Sequence, residues 1–466
     1  MRVLLVYPNS DREVLAWGDM GAIAEPLALE YVAAACEQAG HDAMILDLRL
    51  HPGQLELMLL AYQPDVVGVT GYSMHVIRNL EVLARVKQIR PTCHTMVGGH
   101  HATLLPIDFQ QPQVDFVVVG EGLHPLKAIL AAVAEGRRSP SIPSVWTNCG
   151  EEFRWGGEAG SFDIDDIPFP KRSLTADDRL AYYIDWMRPI ALLRTTVGCP
   201  FRCSFCALWK IMDGKYYRRE LEPVVQEIGD IPERYVFLVD DEPFVNVPRM
   251  RHLADMIKAA DLGKEYFAYC RIDSFLRDRN LMERWHDIGL RRVFFGIEAI
   301  DDGELDEYNK RQRREQITRA LTAAREIGVS VLANFIVKPE YTAGDFQRLV
   351  DFIDENGVEY PTFTILTPIP GTSFFDLNYD DILHRQANGR PNWAYFDLQH
   401  AVTRTALSPE TFSHEYRALQ RRFATSYLRA GHPRYEELQA RGRTPGGPFD
   451  PAAGGGHPAA GGGQMR

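Results

Sequence analysis

The chain has 466 residues, enough for about two to four domains. With 45% hydrophobic and 24% charged residues it has an ordinary globular composition, which excludes a collagen-like or wholly disordered chain. Lys and Arg number 51 against 63 Asp and Glu, a net charge of −12, which argues against a general nucleic-acid binder because that needs a basic surface.

The first eight residues read as a buried strand and lack the apolar core and cleavage site of a signal peptide. No window approaches about 18 consecutive apolar residues, so no membrane span is expected and the cytoplasm is the expected compartment. From residue 1 to about 135, strand-like and helix-like stretches alternate. Strands are expected at 2–7, 42–46, 66–70, 95–97 and 116–119, and helices at 26–38, 52–61, 77–88 and 125–134. Short Val-rich strands without polar alternation imply burial on both faces, and their alternation with helices implies a parallel, doubly wound sheet. Such a sheet binds ligands at the carboxyl ends of its strands. Those ends carry Pro8-Asn9-Ser10, Thr70-Gly71-Tyr72-Ser73, Gly98-Gly99-His100-His101 and Gly120-Glu121-Gly122. They read either as tight turns or as a rim where backbone approaches a large ligand; four on one rim favour the ligand.

Residues 138–185 are rich in Pro, Gly and acids and read as a linker. A second alternating run follows, with strands expected at 190–195, 235–239, 266–270, 292–295, 330–336 and 362–366. Helices fit between them at 221–228, 248–259, 278–288, 314–327 and 343–356. Six strands with crossover helices predict a partial (β/α)6 barrel over 186–375. Residues 376–441 read as a smaller, mostly helical segment capping the substrate, and the Gly/Pro/Ala-rich 442–466 as a disordered tail.

Of seven cysteines, Cys36, Cys93, Cys149 and Cys270 are scattered, a poor disulfide framework. Cys199, Cys203 and Cys206 lie within eight residues at the top of the first barrel strand. Tight spacing lets thiolates converge on one inorganic centre. Three are one short of a closed zinc site or a fully ligated cubane, so a 4Fe–4S cluster held here keeps one iron open.

Cys199-x3-Cys203-x2-Cys206 after a strand, with Phe205 before the last cysteine, resembles the radical S-adenosylmethionine signature. The doubly wound domain before it (1–137) resembles the cobalamin-binding domain of the class that fuses the two. The resemblance implies that the three cysteines hold a 4Fe–4S cluster whose open iron binds S-adenosylmethionine, and that reductive cleavage gives a 5′-deoxyadenosyl radical. It implies cofactor contacts from Phe205, from Asp240, Asp241 and Glu242 after the second barrel strand, from Arg271 after the third and from Glu298 after the fourth. In the first domain it implies cobalamin contacts from Pro8, Asn9, Thr70, Gly71, Tyr72, Ser73, Gly98, Gly99, His100, Gly120, Glu121 and Gly122. Methionine-synthase-like domains place a histidine after the first strand; Pro8-Asn9-Ser10-Asp11-Arg12 has none, so cobalamin is expected without histidine on cobalt.

The implied activity is a C-methyltransferase acting on an unactivated carbon. Trp393-Ala394-Tyr395-Phe396-Asp397-Leu398-Gln399-His400 resembles relatives acting on hopanoid lipids or magnesium porphyrins, which implies a large, apolar, polycyclic small-molecule substrate. An external electron donor such as flavodoxin or ferredoxin is implied as partner. The rivals are a non-methylating cyclase or ring-rearranging enzyme of the same architecture, and a cofactor-binding sensor without turnover. An open iron argues against the sensor.

Overall fold

The computed structural model describes residues 1–9, 22–158, 160 and 163–424. The first sheet holds β1 (Arg2–Tyr7), β2 (Asp42–Asp47), β3 (Val66–Val69), β4 (His94–Val97) and β5 (Phe116–Val118), with β6 (Val145–Asn148) and β7 (Phe153–Trp155) at one edge. The order is β2-β1-β3-β4-β5-β6-β7, parallel up to β5. Strand β1 shows why its sequence does not alternate. Val3 and Leu5 pack into one core with the helix Leu27–Gln38, while Leu4 and Val6 pack into another with the helix Val76–Ile89. Both faces are covered, and burying each such side chain is worth about 1.5–3 kcal/mol. The order reverses between β1 and β3, so the ligand crevice of this topology lies outside the ends of those strands.

The hairpin β6–β7 differs from the expected linker. It pairs antiparallel onto β5, with Val145 and Thr147 buried and the rings of Trp146 and Trp155 5.4 Å apart across the ladder. The flanking Pro and Gly residues masked two strands of only four and three residues. Beyond it the chain crosses to the second sheet through Arg172–Ala181. There Arg172 and Arg179 reach Glu25 and Glu30, buried beside the first domain, and Glu227 and Glu233 of the second.

The second sheet is β8 (Ile190–Leu193), β9 (Tyr235–Leu238), β10 (Glu265–Cys270), β11 (Leu290–Glu298), β12 (Ser330–Val337) and β13 (Tyr360–Ile365). All are parallel and follow in chain order, an open barrel with crossover helices. The segment after it departs from the helical expectation. Between 379 and 408 the described chain makes the short turn Trp393–Tyr395 and one antiparallel bridge, Arg385 to Pro391; the helix Pro409–Ala424 then packs Phe412 and Tyr416 on the barrel core. Asn388-Gly389 and Pro391-Asn392 supply turn residues that interrupt any helix. Phe375, Trp393, Phe396 and Val402 join the core of the first domain. The expected segment beyond 424 and the expected tail 442–466 lie outside the described residues. Among the described residues no helix is long and apolar enough to cross a membrane.

Candidate functional site between the two sheets

The strand ends of the two sheets face one cavity of about 1700 Å³, its open mouth included. One wall is the rim Thr70-Gly71-Tyr72, Gly98-Gly99-His100 and Gly120-Glu121-Gly122. The other holds Arg194, Gly198 and Asp241 from the barrel top, with Leu208, Ile211 and Met212 following the cysteine loop. Among the described residues, none beyond Asp241 lines it.

The rim fits a large flat ligand. A Cβ placed on Gly120 or Gly122 would meet nothing within 4 Å, and one on Gly98 only Val118 at 3.7 Å. Gly99 is glycine for another reason. Its φ is +98°, and a Cβ there would stand 2.6 Å from Thr70 Oγ1, so the rim turns pack on each other at this point. Tyr7 lines the cavity, whereas Pro8 is buried and Asn9 accepts a 2.9 Å bond from Arg78 Nε, so both expected contacts lie off it. Ser73 also sits behind the rim, 2.9 Å from His101 Nδ1.

The three rim histidines divide by partner. His101 has both ring nitrogens engaged, by Ser73 and by Asp108 Oδ2 at 3.0 Å, and is closed to a metal. His75 Nδ1 accepts the Tyr72 N–H at 3.1 Å. His100 lies against the Tyr72 ring, centroids 4.8 Å apart. Burial, then the charge of Arg194, pushes its pKa down to about 4, so it is neutral at pH 7.

The cysteine loop leaves β8 through Gly198, whose φ is +89° and where a Cβ would collide with the Lys215 carbonyl. The 307–312 segment holds its far side. Ser204 N–H donates to Tyr308 O at 3.0 Å, Ser204 Oγ to Glu307 O at 2.9 Å, and Asn309 Nδ2 to Arg202 O at 2.8 Å. Phe205 meets Tyr308 edge-on at 5.3 Å, outside the cavity. Cys203 is buried, Cys199 and Cys206 half-buried. Burial pushes the Cys199 and Cys206 thiols up to about 11 and about 12, so they need nearby positive charge to ionise. Among the described residues no three His, Cys, Asp or Glu side chains stand close enough to hold one metal ion. A cubane takes each thiolate on a different iron, and a three-thiolate donor set fits it.

The acidic run after β9 splits into three roles. Asp240 accepts from Thr195 N, Thr196 N and Thr195 Oγ1 at 2.6, 2.7 and 2.6 Å, which consumes its carboxylate in shaping the turn after β8. Glu242 is buried and accepts from Arg271 N at 2.7 Å. Asp241 alone faces the cavity, with its pKa raised by burial. The side chains of Asp240 and Glu242 are thus turned to the protein, as is that of Arg271. Its Nε donates to Asp273 at 2.8 Å, Nη2 to the Lys310 carbonyl at 2.6 Å, and Nη1 points at Cys203 Sγ at 3.7 Å. Glu298 ends β11 at φ +68°, a strained conformation for a non-glycine. Its two oxygens accept from Lys310 Nζ at 2.8 Å and Asn334 Nδ2 at 3.1 Å. Lys310, Asn334 and Arg194 escaped the sequence reading. Asn309-Lys310-Arg311 looks like a solvated charge run, and nothing local in it signals that Lys310 is buried.

Residues 16–130 match the family model described as B12 binding domain, and residues 193–353 the model of the radical SAM superfamily. The chain is 29% identical over 412 residues to the hopanoid C-3 methylase of Methylococcus capsulatus, covering 87% of this chain and 77% of that protein. It is 26% identical over 399 residues to the anaerobic magnesium-protoporphyrin IX monomethyl ester cyclase of Rubrivivax gelatinosus, covering 80% and 69%. The fold resembles the radical S-adenosylmethionine methyltransferase TsrM of Kitasatospora setae, solved with cobalamin and a 4Fe–4S cluster bound. There the TM-score is 0.67 at 19% identity, with 90% of each chain covered.

Proposed function

We propose that this cobalamin-dependent radical S-adenosylmethionine enzyme methylates an unactivated carbon of a large, apolar, polycyclic small molecule. The observation that carries the reading is one cavity: the glycine rim of the first sheet and the residues flanking the cysteine loop, Gly198 before it and Leu208, Ile211 and Met212 after it, line the same space, as a methyl handed to an activated substrate carbon requires. When bound, the cluster with S-adenosylmethionine supplies a hydrogen-abstracting radical and cobalamin supplies the methyl group.

Cys199, Cys203 and Cys206 are the cluster ligands in this reading. Asp241, the cavity-facing carboxylate, suits the ammonium group of S-adenosylmethionine, and the Glu298–Lys310 ion pair fixes the end of β11 at the same face of the barrel. Thr70, Gly71, Tyr72, Gly98, Gly99, His100, Gly120, Glu121 and Gly122 seat the corrin. Leu208, Ile211 and Met212 give the substrate space apolar walls that exclude water. Electrons come from an external flavodoxin or ferredoxin. The hopanoid methylase supports a polycyclic apolar substrate; the cyclase relative supports the rival chemistry.

Product counting separates the two. Anaerobic holoenzyme given hopanoid or tetrapyrrole candidates should release about one S-adenosylhomocysteine for each 5′-deoxyadenosine, and the product should gain a methyl from labelled S-adenosylmethionine. Turnover of a candidate with 5′-deoxyadenosine alone would contradict methylation and give the cyclase reading.

A further inference from the structure

Arg271 is held on every side by protein. The turn that carries it is pinned by its own N–H on buried Glu242 at 2.7 Å. Its guanidinium lies 3.9 Å from the centroid of the Phe201 ring, spends Nε on Asp273 and Nη2 on the Lys310 carbonyl, and is 7% exposed. The remaining donor nitrogen, Nη1, faces the sulfur of Cys203 at 3.7 Å. All three nitrogens of the guanidinium thus have a protein partner.

The three cysteines are unequally served. Cys203 has the Arg271 guanidinium against it, with buried Lys310 interacting as a second cation. Cys199 and Cys206 are instead met by the backbone N–H groups of Phe201 and Leu208. We infer that Arg271 is a positioning and redox-tuning residue: its N–H···S bond to Cys203 raises the reduction potential of the cluster. This rests on the reading of Cys203 as a cluster ligand.

The physics is differential. A one-electron donor of the flavodoxin class adds one electron to the cluster, taking it from the 2+ to the 1+ state. No proton moves, and Arg271 stays charged throughout. The added negative charge spreads onto the sulfurs, so a fixed, desolvated N–H dipole carrying full positive charge stabilises the reduced form more than the oxidised. Asp273, on the opposite edge of the guanidinium and 27% exposed by its side chain, opposes part of that charge. Partners that orient or tune a metal ligand act in this way on potential.

The test is a mediated potentiometric titration of the anaerobic holoenzyme followed by electron paramagnetic resonance, with iron content and equilibrium binding of S-adenosylmethionine measured in parallel. Arg271→Gln should keep its iron, bind S-adenosylmethionine within about twofold of wild type, and shift the midpoint to a more negative value. Asp273→Asn, which keeps Arg271 and removes the opposing charge, should shift it the other way and serves if Arg271→Gln does not fold. An unchanged midpoint in a variant that keeps its iron would overturn the inference. So would a tenfold loss of S-adenosylmethionine binding at an unchanged midpoint, which would return Arg271 to a carboxylate clamp. Wild-type protein that holds no cluster would instead sink the ligand reading beneath it.

Discussion

Gly98 and Gly99 are adjacent and glycine for different reasons, which makes them a sharp test at the scale of one residue. Gly98→Val adds carbon where the rim is open, so the fold should survive while corrinoid binding falls at least about tenfold. Gly99→Val forces a left-handed residue into Thr70 and should cost about 1–3 kcal/mol of stability before any ligand is added. Thermal melts and corrinoid titrations of the two variants check this; equal stabilities would contradict it. Glu242 offers a second test. Burial pushes its pKa up to about 7 from 4.5, so the folded protein holds this proton more tightly than the unfolded chain. Its contribution is therefore most favourable below about pH 4.5 and is lost as pH rises through about 7, about 3 kcal/mol in all. Denaturant melts at pH 5 and 7.5 should show that loss in wild type and much less of it in Glu242→Gln. Equal pH slopes would rule the account out. The cysteine triplet was legible in the sequence because its spacing is local. Arg271 and Glu298 were legible as site-adjacent residues, yet their partners Lys310 and Asn334 were not, because those contacts join strands and loops distant in the chain.

Among the elements, the parallel strands were the most readable. Strands covered on both faces must be apolar without alternation, and β1 and β3 are; the expected positions therefore fall on the observed strands of both sheets. The hairpin β6–β7 was hidden because it is short and surrounded by turn residues, and the segment after β13 because aromatic content says nothing of which core it joins. The crossing segment Arg172–Ala181 carries a consequence for stability. Arg172 donates to Glu25, to the Leu192 carbonyl at 2.7 Å and to Glu227 at 2.9 Å, all in a setting where its side chain is 14% exposed. Removing one partner leaves the other charges buried and uncompensated. Arg172→Ala should thus cost about 3–5 kcal/mol in urea unfolding, while Arg154→Ala, at an exposed pair with Glu152, should change it by less than about 1 kcal/mol. Comparable losses in the two variants would show that the crossing is not an ionic clamp.

Over the whole molecule, the two sheets divide the cofactors and the cavity unites them. The rim of the first sheet belongs to residues 70–122, the thiolates to the loop after β8, and Arg194 and Asp241 look across at the rim. That separation predicts independent loading of the rim and of the cysteine loop. The most direct test is to count iron and corrinoid per chain in the same anaerobic preparation. Wild type should carry about four iron, from a cubane on three thiolates, and about one corrinoid. The Cys199→Ala, Cys203→Ala, Cys206→Ala triple variant should lose the iron and keep the corrinoid, and Gly98→Val should do the reverse. Full iron retained in the triple variant, or corrinoid bound normally by Gly98→Val, would contradict the assignment of these two walls.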